Sequence, residues 1–176
     1  MTSAGKTVLF LGGARSGKSR LAQARAERGT GELVFVATAE ALDAEMTERI
    51  ARHRAERGSR WRTVEAPRSL PELLKRECAP DRIVLVDCLT LWLSNVMLAD
   101  EDIGAATSDL ISAIDAQRGT LLLVSNEVGL GIVPETPLGR RFRDAAGRLN
   151  QSVAAVADQV LLVAAGLAIT MKGASA

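Results

Sequence analysis

The eight residues Gly12-Gly13-Ala14-Arg15-Ser16-Gly17-Lys18-Ser19 constrain this chain more than any other part of it. They follow the apolar run Thr7–Leu11 and open an alanine- and arginine-rich stretch of helical length, Lys18 to Arg28. An unbroken apolar run reads as a strand buried on both faces. Glycines in the loop let backbone N–H groups turn inward around phosphate oxygens. The helix N-terminus adds about half a positive charge. In a loop of this pattern the lysine reaches the β- and γ-phosphates and the serine ligates Mg²⁺. Lys18 and Ser19 hold those places, so the loop predicts a nucleoside triphosphate with Mg²⁺. It leaves open what reaction follows.

The rest of the chain repeats the same alternation. Leu33–Ala37, Ile83–Val86, Thr120–Val124 and Val160–Val163 are further apolar runs, and Trp61–Val64 is a weaker one. Leu167–Met171 reads as an edge strand, because Gly166 invites a tight turn before it. Helix-length segments lie between them: Asp43–Arg57, Leu70–Glu77, Thr90–Leu98, Gly104–Ala116 and Leu138–Ala157. This order predicts a doubly wound, mostly parallel sheet with helices on both faces and an antiparallel C-terminal edge strand. With 176 residues and no linker or repeat, the expectation is a single α/β domain of the P-loop NTPase type, spanning 1–176.

Composition narrows the partners. The 22 basic and 21 acidic residues nearly cancel, so nothing calls for nucleic acid or an anionic membrane. The chain has no tyrosine and few aromatic rings for base stacking. Two cysteines, Cys78 and Cys88, and one histidine exclude a disulfide scaffold and a Cys- or His-rich metal site. No stretch reaches the roughly 18 apolar residues of a membrane span, and the first residues lack a signal-peptide pattern. The expectation is a soluble cytoplasmic protein without integral membrane association.

Functional residues of such sheets gather at the carboxyl ends of the strands. Asp87 ends its apolar run, where it is either the second metal-site carboxylate or an N-cap for the following helix. Glu65 ends the weak strand and is either a surface residue or an acceptor for a ribose or guanine edge. Ser125-Asn126-Glu127-Val128-Gly129, followed by an apolar glycine-containing loop, reads either as a substrate loop or as a turn capped by Asn126. Arg140, Arg141, Arg143 and Arg148 are either phosphate clamps or a solvated helix face. His53 shares a helical stripe with Met46 and Ile50, so it is either a core histidine or a nucleophile toward phosphorus. Trp92 belongs to the core or to a subunit interface, and neither cysteine has the setting of a reactive thiol.

Taken together, the residues resemble the bifunctional adenosylcobinamide kinase / adenosylcobinamide-phosphate guanylyltransferase family. The resemblance runs from Gly12–Ser19 through Ala37-Thr38, Asp43–Met46, His53-Arg54 and Trp61. It continues through Val86–Thr90, Asn126–Gly129, Gly131–Pro134, Phe142–Asp144, Gly147-Arg148 and Asn150-Gln151. It implies two reactions of cobalamin synthesis. The γ-phosphate of ATP or GTP passes to the aminopropanol hydroxyl of adenosylcobinamide. GTP then gives GMP to adenosylcobinamide phosphate through a histidine–GMP intermediate, which places the nucleophile on His53.

The same resemblance implies nucleotide contacts at Gly12, Gly13, Ala14, Arg15, Ser16, Gly17, Lys18 and Ser19. It implies further contacts at Ala37, Thr38, Ala39, Arg54, Ala55, Glu56, Arg57, Glu65 and Asp87, and a homotrimer with sites near subunit boundaries. Gly58 departs from the family, whose members often carry proline there. Two rival readings remain at the level of sequence: a small-molecule kinase without the second activity, and a nucleotide-dependent switch that binds a partner protein through an exposed apolar patch.

Overall fold

The computed structural model describes residues 5–39 and 58–174. The expected helix over Asp43–Arg57 lies outside the described residues. His53, Arg54, Ala55, Glu56 and Arg57 lie outside them with it.

The elements follow in chain order. Strand β1 (Lys6–Gly12) leads into helix α1 (Lys18–Glu27), and β2 (Glu32–Ala37) comes next. Then come β3 (Trp61–Glu65), α2 (Leu70–Glu77) and β4 (Arg82–Asp87). Two helices, α3 (Leu89–Leu98) and α4 (Ile103–Asp115), precede β5 (Thr120–Asn126). The long helix α5 (Pro137–Val156) leads to β6 (Gln159–Ala164) and β7 (Leu167–Lys172). Each lies within about two residues of its sequence expectation. Asp102 and Thr136 begin α4 and α5 as side-chain N-caps, and Pro137 fills the first turn of α5.

The strands form one sheet in the order β3-β2-β4-β5-β1-β6-β7. All neighbours are parallel except β6 and β7. The expected antiparallel edge strand is therefore present. Its turn runs through Ala165 and Gly166, both with positive φ (51° and 77°), as a two-residue primed hairpin turn requires.

The central strands are apolar on both faces because helices cover both. One face packs Val8, Phe10, Leu85 and Val124 against α1, whose contacting residues Ala22 and Ala26 are small enough for close approach. The other face packs Leu9, Val34, Val84 and Leu123 against α2, α3, α4 and α5. Trp92 of α3 is fully buried in that second layer, so it is a core residue and not an interface one. Its indole N–H donates to the Arg68 carbonyl at 2.8 Å. Both cysteines are buried, and neither forms a disulfide. Burial raises the Cys88 pKa and pushes Cys78 up to about 12, which fits the expectation of inert thiols.

Candidate functional site

The strand order sets the site. Five strand ends lie side by side at the carboxyl edge: Glu65 on β3, Ala37 on β2, Asp87 on β4, Asn126 on β5 and Gly12 on β1. Ala37 is paired with both Glu65 and Asp87, and Gly12 with Asn126. At an inter-strand spacing of about 4.8 Å, the row from Gly12 to Glu65 spans on the order of 19 Å. The sequence placed these residues at strand ends. It did not show that β5 intervenes between the phosphate loop and Asp87.

Gly12 to Ser19 turn from β1 into α1 as the motif predicts. Gly17 caps the helix with φ +95°, a left-handed conformation that favours glycine. A Cβ at Gly12 would collide with the Val163 carbonyl and the Ser16 hydroxyl. The β6–β7 turn braces the loop from outside, with Gly166 N–H donating to the Ser16 carbonyl at 2.8 Å. Lys18 Nζ donates to the Gly13 carbonyl at 2.9 Å, so the ammonium arches over the loop. Burial lowers the Lys18 pKa, and the nearby Asp87 carboxylate works against that shift. Ser16 Oγ is buried with no hydrogen-bond partner among the described residues. A buried hydroxyl without a partner, in a glycine loop that leads into a helix N-terminus, fits a phosphate oxygen.

The donor set also fits Mg²⁺. The Ser19 hydroxyl and the Asp87 carboxylate are hard oxygen donors beside that cradle. No cluster of three His, Cys, Asp or Glu occurs among the described residues. Magnesium needs few protein ligands when phosphates and water supply the rest. The alternative of Asp87 as an N-cap does not hold: Cys88 is the N-cap of α3 and makes no side-chain cap.

Thr38 is fully buried, and its hydroxyl is spent on the backbone. It donates to the Cys88 carbonyl at 2.7 Å and accepts from the Cys88 N–H at 2.8 Å. Asn95 of α3 donates to the Thr38 and Pro67 carbonyls at 2.8 and 3.0 Å. Thr38 thereby fixes the backbone after Asp87, and any contact it makes with a nucleotide falls to its main chain. Ala39 is half-buried, and Glu65, opposite Ala37, is exposed. Gly58 is exposed, a Cβ there would meet nothing, and its carbonyl accepts the Trp61 N–H at 3.2 Å. The turn therefore does not depend on glycine.

Asn126 and Glu127 stand next to the loop. The Glu127 N–H donates to the Gly12 carbonyl at 3.0 Å, and its carboxylate accepts the Gly129 N–H at 2.7 Å. Asn126 is the last residue of β5, opposite Gly12, and in the turn that follows the Glu127 carboxylate accepts a backbone N–H. Arg140 is committed to the Pro134 and Glu135 carbonyls at 3.0 and 2.7 Å, closing the loop after β5. Arg143 pairs with Asp144 at the surface, while Arg141 and Arg148 are exposed. The family resemblance runs through Thr90 and Asn150, but sequence reasoning assigned neither a role in this region. The available signal was Asn150, a polar residue on the buried stripe of α5 between Ala146 and Val153.

Residues 8–171 match the family described as cobinamide kinase / cobinamide phosphate guanyltransferase. The chain belongs to this family. It is 46% identical over 167 residues to the bifunctional adenosylcobalamin biosynthesis protein CobP of Pseudomonas aeruginosa, covering 94% of this chain and 96% of the relative. It is 41% identical over 180 residues to the bifunctional adenosylcobalamin biosynthesis protein CobU of Escherichia coli, covering 94% of this chain and 99% of the relative. The CobU of Salmonella typhimurium is 39% identical, with the same shares of the two chains covered. Among solved structures, one from Pyrococcus horikoshii described as a structural study of PH0250 aligns with a TM-score of 0.57 at 10% identity. It covers 98% of this chain and 88% of that one, and it supports the fold alone. Membership extends across both the phosphate loop and the Asn126–Glu127 loop, as the sequence resemblance implied.

Proposed function

We propose that this chain carries out both reactions of its family on one sheet edge. It phosphorylates adenosylcobinamide with ATP or GTP and then transfers GMP from GTP to adenosylcobinamide phosphate. The observation that carries this is the row Gly12, Asn126, Asp87, Ala37, Glu65 in a chain that matches the family over nearly its whole length.

In the first reaction the substrate hydroxyl oxygen attacks the γ-phosphorus, the bond to the β-phosphate oxygen breaks, and the nucleoside diphosphate leaves. Such transfer depends on positioning and charge neutralisation more than on a protein nucleophile. The backbone amides of Gly12 to Ser19 hold the β- and γ-phosphates. Lys18 gives up its Gly13 carbonyl for phosphate oxygen. Ser19 and Asp87 would hold Mg²⁺, which neutralises developing phosphate charge when bound. Glu65, four strands from the loop, lies where a ribose or base would fall if the nucleotide runs along the edge.

In the second reaction a neutral His53 nitrogen attacks the α-phosphorus of GTP and pyrophosphate leaves. The phosphate of the corrinoid then attacks the same phosphorus, the P–N bond breaks, and the imidazole is restored. Arg54, Ala55, Glu56 and Arg57 adjoin that nucleophile in sequence and contribute to nucleotide binding. We assign the chain to a cytoplasmic homotrimer. The alternate residues Leu167, Ile169 and Met171, all exposed on the edge strand β7, support an assembly. Sedimentation at working concentration tests it.

The deciding experiment is incubation with α-³²P-GTP and Mg²⁺ followed by a denaturing gel. An acid-labile, base-stable label that His53→Ala lacks is expected. No label on folded wild-type protein removes the guanylyl transfer and leaves a phosphate-loop kinase.

A further inference from the structure

Four groups behind the phosphate loop share a buried hydrogen-bond circuit that the two reactions above do not use. The Asn126 N–H donates to Thr90 Oγ1 at 2.7 Å, and the Asn126 carbonyl accepts from Asn150 Nδ2 at 3.2 Å. Asn150 Oδ1 accepts from the Ser125 hydroxyl at 2.7 Å, and Ser125 Oγ lies 3.4 Å from Thr90 Oγ1. The directions follow from chemistry. A carbonyl only accepts, so the amide nitrogen of Asn150 must face Asn126 and its oxygen must face Ser125. The Ser125 proton is thereby committed to Asn150. The Thr90 proton is left for Ser125 Oγ or for the Cys88 sulfur beside it.

Thr90, Ser125 and Asn150 are 8%, 2% and 5% exposed, so water does not replace a lost partner here. The circuit joins three elements. Thr90 sits in the first turn of α3, three residues after Asp87, Asn150 sits on α5, and Asn126 ends β5 opposite Gly12. The Asn126 N–H and carbonyl are held by side chains from two different helices. The next residue, Glu127, has its N–H on the Gly12 carbonyl.

We propose that Asn150 and Thr90 are positioning residues for phosphoryl transfer, acting through the Asn126–Glu127 segment. They hold that segment at a fixed place between the phosphate loop and the Asp87 strand, and that segment orients the acceptor hydroxyl. None of the circuit's hydrogen bonds reaches Gly12–Ser19 directly; the segment is tied to the loop by the Glu127 N–H on the Gly12 carbonyl. The inference rests on the kinase reading of the site.

The test compares Thr90→Val, Thr90→Ser and Asn150→Asp with wild type. Thr90→Val keeps the shape and loses the acceptor for Asn126. Thr90→Ser keeps the hydroxyl. Asn150→Asp keeps the acceptor for Ser125 and loses the donor to Asn126. Phosphoryl transfer from ATP to adenosylcobinamide is followed for kcat and nucleotide KM, and labelling by α-³²P-GTP is followed in parallel. For Thr90→Val and Asn150→Asp a kcat loss of tenfold or more is expected, with nucleotide KM within threefold and labelling retained. Thr90→Ser is expected to recover most of the lost kcat. If Thr90→Val keeps wild-type kcat, or loses kcat and labelling in parallel, the proposal is overturned. Should Asn150→Asp not fold, the two Thr90 variants decide. A wild-type protein without phosphoryl transfer fails the kinase reading instead, a different result from an active wild type with indifferent variants.

Discussion

Gly12 shows how narrowly one residue can be specified. Its Cβ position is taken by the Val163 carbonyl, which is backbone and cannot swing aside, and by the Ser16 hydroxyl. Gly12→Ala must therefore displace either β6 or the loop itself. We expect nucleotide affinity to fall at least tenfold, read by isothermal titration with GTP and Mg²⁺. Lys18→Ala removes a cation rather than a shape. A preorganised charge of this kind supplies roughly 10²–10³-fold in rate, so kcat for phosphoryl transfer should drop by about that factor.

Glu77 makes a different point, far from the site. Its buried carboxylate accepts from Arg62 at 2.6 Å and from Arg82 at 3.1 Å. The hydrogen bond from Arg62 is the largest cause holding its pKa below the ordinary carboxylate value, with the Arg82 charge adding to it. A depressed folded pKa means that the unfolded chain takes up its proton first as pH falls. The stabilisation is present above the unfolded value of about 4.3 and is lost as pH falls from there through the folded value. Glu77→Gln should be less stable at neutral pH by about 1–2 kcal/mol, given partly exposed arginines. Its stability should also change less between pH 5 and pH 3, as urea titrations at each pH would show.

At the scale of elements, α3 is the piece that joins core to site. Leu89, Trp92, Leu93, Val96 and Met97 bury one side of it, and Thr90 and Asn95 carry polar tethers from the same helix. Trp92→Phe preserves most of the buried area and removes the indole donor, while the Arg68 carbonyl keeps the Leu70 N–H. A loss of about 0.5–1.5 kcal/mol is expected, or roughly 1–6 °C in thermal midpoint by calorimetry. Elements like this one were legible in the sequence because uninterrupted apolar runs and helix-length spacing leave few alternatives. The glycine loop was legible because its backbone needs glycine at fixed places. The strand order was not, since parallel strands joined by helices can be arranged in several ways with the same local pattern. Nor was the burial of Thr38, whose hydroxyl finds its partner 50 residues away on Cys88. Polar residues that serve the site through the backbone look, in sequence, like any other threonine or asparagine.

Across the whole molecule, the loop, the β6–β7 turn and the Asn126–Glu127 segment are tied together by backbone hydrogen bonds, Gly166 to Ser16 and Glu127 to Gly12. A triphosphate held by the loop therefore engages β1, β5 and β6 together, at the centre of the sheet. Because the cradle exists only in the folded chain, nucleotide binding must raise the free energy of unfolding. At one hundred times its dissociation constant, GTP with Mg²⁺ should add about 2.7 kcal/mol. For a chain of this length that corresponds to a rise of about 5–10 °C in the thermal midpoint. Lys18→Ala should remove most of the rise while leaving the midpoint without nucleotide near wild type, because the ammonium's one hydrogen bond is to a loop carbonyl. His53→Ala should keep the rise in full when a non-hydrolysable GTP analogue is used, since the role proposed for His53 is the covalent step and the reversible contacts are proposed on other residues. A mutant that loses labelling and the thermal shift together would place His53 in nucleotide binding instead. The combination of an intact shift and no label separates the two roles in one scan.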